Sequence, residues 1–222
     1  MKTFFTNNRL RDIVLALLLT VFLICFAVTF TVFFKPLYYF DIDYLHIDQL
    51  VGMSKETLKA NYDSLIAYQS IFYQGELVFS DFVMSETGRI HFEEVKRIFE
   101  VVQVLMVVSG IASAIMIVQN AKQREYRYLK ITPIFSIGIP AIIGFLAALD
   151  FDRAFVIFHQ IFFNNNYWIF DATTDPIIEA LPETFFMHCF MMIIAIVIIL
   201  SIILYLLYRH FQKTILKVQN EI

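Results

Sequence analysis

The sequence predicts an all-α membrane protein: four transmembrane helices with an extracellular, mostly helical cap. Three observations carry that prediction. Hydrophobic residues make up 59% of the 222-residue chain, charged residues 17%, and the mean hydropathy is +0.69, so lipid is the solvent for much of it. Four stretches meet or come within a turn of the roughly 20 apolar residues that a helix needs to cross a hydrocarbon core. Two large connections, 35–100 and 150–184, separate them and hold most of the acidic residues.

The first span, 13–34, follows Lys2, Arg9 and Arg11. Basic residues before an apolar run resemble a secretory signal, but this run is too long and lacks a small-x-small cleavage site, so it reads as a retained anchor. Residues 35–100 begin the cap with Lys35-Pro36-Leu37-Tyr38-Tyr39-Phe40, where proline stops the span and the aromatic rings suit the headgroup level. From Ser54 to Phe72, Leu58, Tyr62, Leu65, Ile66 and Phe72 recur near helical spacing, with Ser54 as N-cap. Such a helix lies on the membrane or packs on a neighbour. The stretch FVMSETGRIHFEEVKRIF, residues 82–99, predicts another helix capped by Ser85 or Thr87, and Glu94 shares a face with His91.

The second span, 101–118, sets Ser109, Gly110, Ser113 and Ala114 at a spacing that lets helix backbones approach closely. The third, 131–149, contains Pro133 and Pro140, which predict a bend, and Gly138 and Gly144, which read as helix contacts. The fourth covers 185–208. Lys122, Arg124, Arg127 and Lys130 crowd the loop 119–130, and Arg209, Lys213 and Lys217 mark the tail 209–222. The connection 150–184 has Arg153 against Asp150, Asp152, Asp171, Asp175, Glu179 and Glu183. This bias puts both termini in the cytoplasm and both large connections outside. Cys25 and Cys189 fall within spans and no CxxC spacing occurs, so both read as packing thiols.

The richest chemistry lies in FVIFHQIFFNNNYWIFDATTDPIIEALPETFF, residues 155–186. Here His159 sits among Phe155, Phe158, Phe162, Phe163, Tyr167 and Trp168, beside Asn164, Asn165 and Asn166 and ahead of Asp171 and Asp175. Histidine is the side chain that titrates near neutrality, and this one lies at a lipid interface, so the segment points to a lipid-bearing substrate. A histidine among aromatics is otherwise a packing residue with one hydrogen bond. Asp175-Pro176 reads as an N-cap with proline at the first helical position, and Asp171 and Asp175 are either structural or orienting. His46 reads as a surface residue, while His188, just inside the fourth span, is either functional or satisfied by an interfacial hydrogen bond.

The element S-E-T-G-R-I-H-F-E-E-V-K, paired with F-H-x-x-F-F-N-N-N-Y-W-x-F-D-x-x-T-D-x-x-I-x-x-L-P-E-x-F-F in a four-span chain, resembles the bacterial lipoprotein intramolecular transacylase family. Glu93 and Glu94 stand where that family tends to have Asp after its first histidine. The resemblance implies a multi-pass bacterial cell-membrane acyltransferase with two catalytic histidines, His91 and His159, at the junction of cap and outer leaflet. It implies a diacylglyceryl-modified lipoprotein with a free N-terminal cysteine as substrate. The sn-2 acyl chain would move onto the cysteine amine to give the lyso-form. One histidine would act as base and the other as acid, the aromatic residues would wall the pocket, and Asn164, Asn165 or Asn166 would donate to the oxyanion. No cofactor motif is present, and the transfer requires none.

Other classes fit less well. A zinc site from His46, His91 and His159 lacks HExxH or comparable spacing. A transporter would show charged residues within spans and repeat symmetry. A non-catalytic membrane partner or sensor with an extracellular cap is the main alternative.

Overall fold

The computed structural model describes the backbone of residues 2–220 and the side chains of residues 9–217 apart from 139 and 146–148. Lys2, counted above among the basic residues, has its side chain outside the described residues, as do Met1, Glu221 and Ile222 altogether. Among the described residues the regular elements are all α-helices: α1 (Lys2–Phe33), α2 (Pro36–Tyr44), α3 (Ile47–Val51), α4 (Lys55–Tyr68), α5 (Glu86–Lys122), α6 (Tyr128–Leu149), α7 (Phe151–Phe162), α8 (Ile177–Ala180) and α9 (Glu183–Asn220). α1, α5, α6 and α9 are long and apolar enough to cross a membrane.

Two of these outrun their apolar stretches. No proline interrupts α5, so one helix of 37 residues, about 55 Å, carries both the His91 segment and the apolar run at 101–118. α9 continues through Arg209, Lys213 and Lys217, spaced four apart along one face. α6 accommodates Pro133 and Pro140 within one helix.

The chain divides into two compact units. The first comprises residues up to Val28, Val104–Phe145 and those from Ile193 on. Its buried cluster is small, built from Leu15, Leu19, Tyr128 and Leu129, with Phe211 stacked on Tyr126 at 4.3 Å. Gly110 lies so close beneath Phe22 that a Cβ there would come within 3.0 Å of the ring, the tight helix contact its spacing foretold. A Cβ on Gly144 would similarly meet Ile194, whereas one on Gly138 would meet nothing within 4 Å among the described residues. Buried hydroxyls return to the carbonyl one turn back: Thr20 to Ala16 at 2.8 Å, Thr132 to Tyr128 at 2.9 Å, Ser136 to Thr132 at 2.9 Å. Ser136 also meets Ser201 at 2.8 Å.

The second unit comprises Thr29–Gln103 and Leu146–Met192. Its core is aromatic. Tyr38 stacks on Tyr62 with centroids 3.9 Å apart, Phe185 meets both edge-on, and the Tyr38 hydroxyl donates to the Ala180 carbonyl at 2.9 Å. Around them pack Ile42, Ile47, Leu58, Leu65, Ile66 and Ile177. Ser54 caps α4 by accepting from the Thr57 N–H at 3.1 Å, as the sequence indicated. The connection between α4 and α5 is irregular but tied: buried Asn61 bonds Asp81 at 2.8 Å and the Ser80 N–H at 3.1 Å. Lys96 donates to the Tyr68 carbonyl at 2.6 Å while lying over the Tyr68 and Tyr73 rings. Cys189 packs on this core, and both cysteines are free thiols.

Candidate active site

Two histidines of the second unit converge from segments far apart in sequence. His91 projects from the second turn of α5 and is 6% exposed, and His159 from α7 is 7% exposed. Their ring centroids lie 5.9 Å apart.

α5 begins where it does because of two caps. The Ser85 hydroxyl accepts from the Gly88 N–H at 3.0 Å, and the Ser85 N–H donates to Asp175 Oδ1 at 2.8 Å. Asp175 thus fills from 90 residues away the place that Glu takes in a capping box. A Cβ on Gly88 would come within 2.2 Å of that oxygen, which is why the position is glycine. Asp175 does not cap α8, the role its neighbour Pro176 suggested: Pro176 is itself the residue preceding that helix, and no side chain caps it. The Asp175 carboxylate is 2% exposed and committed to Ser85 and Thr174.

α7 starts at Asp150, whose carboxylate accepts from the Arg153 N–H at 2.9 Å. The helix is strongly two-faced. Val156, Ile157, Phe158, Ile161 and Phe162 are exposed, while His159 is buried on the opposite side. Phe155, one turn before His159, has its ring 4.1 Å from the imidazole. Its carbonyl lies 2.8 Å from His159 Nδ1. A carbonyl can only accept, so Nδ1 carries the proton and Nε2 keeps a free lone pair. Burial pushes the His159 pKa below its ordinary value, opposed by the bond to Phe155, and the ring is neutral at physiological pH.

Aromatic rings enclose the pair. Phe163 lies 4.8 Å from His91 and 5.5 Å from His159, and Trp168 lies 4.7 Å from His159, its Nε1–H held by the Asn165 carbonyl at 3.1 Å. Phe170, which the sequence did not single out, meets His91 edge-on at 5.4 Å. Phe158 touches His159 with its edge at 5.4 Å but is 47% exposed, and Phe162 lies tilted against Phe158 at 4.7 Å. Tyr167 is 38% exposed. Of the three asparagines only Asn165 turns toward the site, donating to Glu94 Oε1 at 2.8 Å; Asn164 and Asn166 are exposed. Asp171 is exposed as well, and its carboxylate accepts from the Thr173 N–H at 2.8 Å, which holds its pKa below the usual carboxylate range.

Two buried polar atoms here have no hydrogen-bond partner, His91 Nδ1 and Glu94 Oε2. A buried polar atom left unpaired is costly, and here two fall within one turn of α5. Elsewhere in the unit His188 bonds fully buried Asp41 at 2.8 Å, tying α9 to α2. His46 is exposed and takes a left-handed conformation before α3, as a surface residue can. No group of three or more metal-ligating side chains occurs among the described residues.

The chain resembles proteins of one kind. The family model for the lipoprotein intramolecular transacylase Lit matches residues 13–186. The solved structure of the membrane-integral lipoprotein intramolecular transacylase Lit from Bacillus cereus is 37% identical, covers 94% of this chain and 97% of its own, and superposes with a TM-score of 0.92. Two variants of that Bacillus cereus protein, one histidine changed to arginine or to alanine, match at 36% identity over 96% of this chain and 96% or 98% of theirs, with TM-scores of 0.87 and 0.88. No curated protein matches at comparable strength. The aromatic box with its paired imidazoles therefore sits in an integral membrane acyltransferase, and the chain belongs to the lipoprotein intramolecular transacylase family.

Proposed function

We propose that this protein moves the sn-2 acyl chain of a diacylglyceryl-modified bacterial lipoprotein onto the amine of the same molecule's N-terminal cysteine. The product is an N-acylated, S-monoacylglyceryl lyso-form. One observation carries the proposal: two buried imidazoles 5.9 Å apart inside an aromatic box, in a chain of this family.

Attack of the amine on its own ester closes an eight-membered ring through N, Cα, Cβ, S, the glyceryl CH2 and CH, the ester oxygen and the acyl carbon. Medium rings close reluctantly. A confined pocket that holds both arms can supply much of the rate, since well-oriented intramolecular reactions reach effective molarities of about 10⁵ to 10⁸ M. The cysteine ammonium first gives one proton to solvent. As the N–C bond forms, the second passes to Nε2 of His159, whose tautomer leaves that atom free. As the ester C–O bond breaks, that proton passes from His159 to His91, which burial keeps neutral with its pKa lowered to about 4, and His91 gives its own N–H to the glyceryl alkoxide as it accepts, so both rings end as they began. Each transfer is worth about 10² to 10⁴-fold. The second N–H of Asn165 is available to the tetrahedral oxyanion.

The basic residues at Lys122–Lys130 and Arg209–Lys217 favour cytoplasmic termini and a site at the outer leaflet, which a lipid-anchored substrate reaches sideways. The test expresses the wild type and His159→Ala in a bacterium without this activity, with mass spectrometry of a reporter lipoprotein's N-terminal lipopeptide. The expected result is an acyl chain on the amine and one fewer on the glyceryl group with wild type, and neither change with the variant. An S-diacylglyceryl lipopeptide with a free amine in the presence of folded wild type would overturn the proposal in favour of a non-catalytic membrane partner.

A further inference from the structure

α5 carries four acidic residues, Glu86, Glu93, Glu94 and Glu100. Three have a cation of their own: Arg89 pairs with both Glu86 and Glu93, and Lys96 lies 3.6 Å from Glu100. Glu94 has none among the described ion pairs, although Arg89 and Lys96 stand on the same helix. One of its oxygens is fixed by Asn165 at 2.8 Å; the other, Oε2, is buried without a partner. Glu94 also lies one helical turn from His91, which is 94% buried with its own unpartnered Nδ1. A buried carboxylate oxygen without hydrogen bond or countercharge is unfavourable until a cation reaches it.

We infer that Glu94 is the docking point for the α-ammonium of the substrate's N-terminal cysteine. The inference rests on the acyl-transfer reading and names the group that selects a free amine over a blocked one. Asn165 holds the carboxylate so that Oε2 alone is offered, and the ammonium donates to it in a charge-assisted hydrogen bond. Held there as the ammonium until it gives its first proton to solvent, the nitrogen is kept within a helical turn of His91. Glu94 contributes by binding and positioning the nucleophile; no bond is made or broken at the carboxylate.

The experiment measures binding without turnover. The probe is a synthetic S-(dialkylglyceryl)-cysteinyl peptide, ether-linked so that no acyl group can move, offered with a free amine and as its N-acetyl form to the full-length protein in lipid vesicles. Wild type is expected to bind the free-amine form about 10- to 100-fold more tightly, the range of one charged hydrogen bond. Glu94→Gln keeps an oxygen for Asn165, and is expected to bind both forms equally while its affinity for the N-acetyl form stays at the wild-type level. Equal binding by wild type would overturn the inference whatever the variant does. So would a Glu94→Gln protein that keeps the preference yet loses kcat, because the carboxylate would then be orienting His91. The two readings fail separately: an ester substrate left unconverted by wild type refutes acyl transfer, whereas conversion without amine preference refutes only the role of Glu94.

Discussion

The two units of this chain bury different things. In the four long helices between 11% and 39% of the most apolar stretch is covered by protein, and among the described residues the buried cluster of the first unit is Leu15, Leu19, Tyr128 and Leu129. Lipid tails are as apolar as leucine, so helix association there draws on close contacts such as Gly110 beneath Phe22 and on hydroxyls satisfied within their own helix. The second unit assembles an aromatic core from Tyr38, Tyr62, Phe79, Phe82, Phe92 and Phe185, with polar groups tied across long sequence separations. There His91 and Glu94, one helical turn apart, each keep a buried polar atom without a hydrogen bond. Chemistry that needs neutral imidazoles out of water is placed where burial is driven by more than packing.

The sharpest test of that contrast replaces a polar atom the second unit leaves unpaired. His91→Phe keeps a ring in the box and removes the orphaned Nδ1. It is expected to cut acyl transfer by about 10² to 10⁴-fold without lowering the unfolding midpoint; a marked loss of thermal stability would mean that His91 is a structural residue.

The next largest effect is on pH dependence. Because burial lowers the His159 pKa, the ring stays neutral through pH 6.5, and the acid limb of a kcat/KM profile is expected below that pH, falling about tenfold per unit. The sign for stability agrees. As pH falls, the unfolded chain takes up the proton first, so stability is full above the ordinary histidine pKa and declines below it. An acid limb centred above pH 6.5 would contradict burial of a neutral base.

Gly88→Ala forces a methyl group against the Asp175 carboxylate and displaces the start of α5. The expected cost is about 1 to 3 kcal/mol in unfolding free energy with a parallel fall in activity, and unchanged values would refute the capping role of Asp175. The smallest effect belongs to the first unit. Ser136→Ala removes the hydrogen bond to Ser201 and is expected to cost about 0.6 kcal/mol, leaving transfer unaffected.

The sequence carried the class, the four apolar helices and the cap Ser54, and narrowed the cap of α5 to Ser85 or Thr87, because period, composition and N-cap chemistry are local. Through the family resemblance it also singled out His91 and His159, whose rings the fold brings to 5.9 Å. It did not carry their environment. The Glu94–Asn165 bond joins residues 71 apart and the Asp41–His188 pair residues 147 apart, and nothing in either neighbourhood announces the other. Phe170 is a fixed position of the second motif, yet its place beside His91 shows only once the chain has turned at Asn165. Among the asparagines the choice was open for the same reason: three adjacent amides are equivalent in sequence, and backbone direction alone points Asn165 inward.

The bond from the Ser85 N–H to Asp175 sets a schedule as well as a shape. The helix that bears His91 is synthesised early, yet the carboxylate that completes its first turn arrives 90 residues later. At about 5 to 20 residues per second that interval is roughly 5 to 20 seconds. His159, Trp168 and Phe170 are made within the same interval. A growing chain thus holds its first imidazole in an unfinished setting until Asp175 has been made, and the two imidazoles come together in a finished site only then.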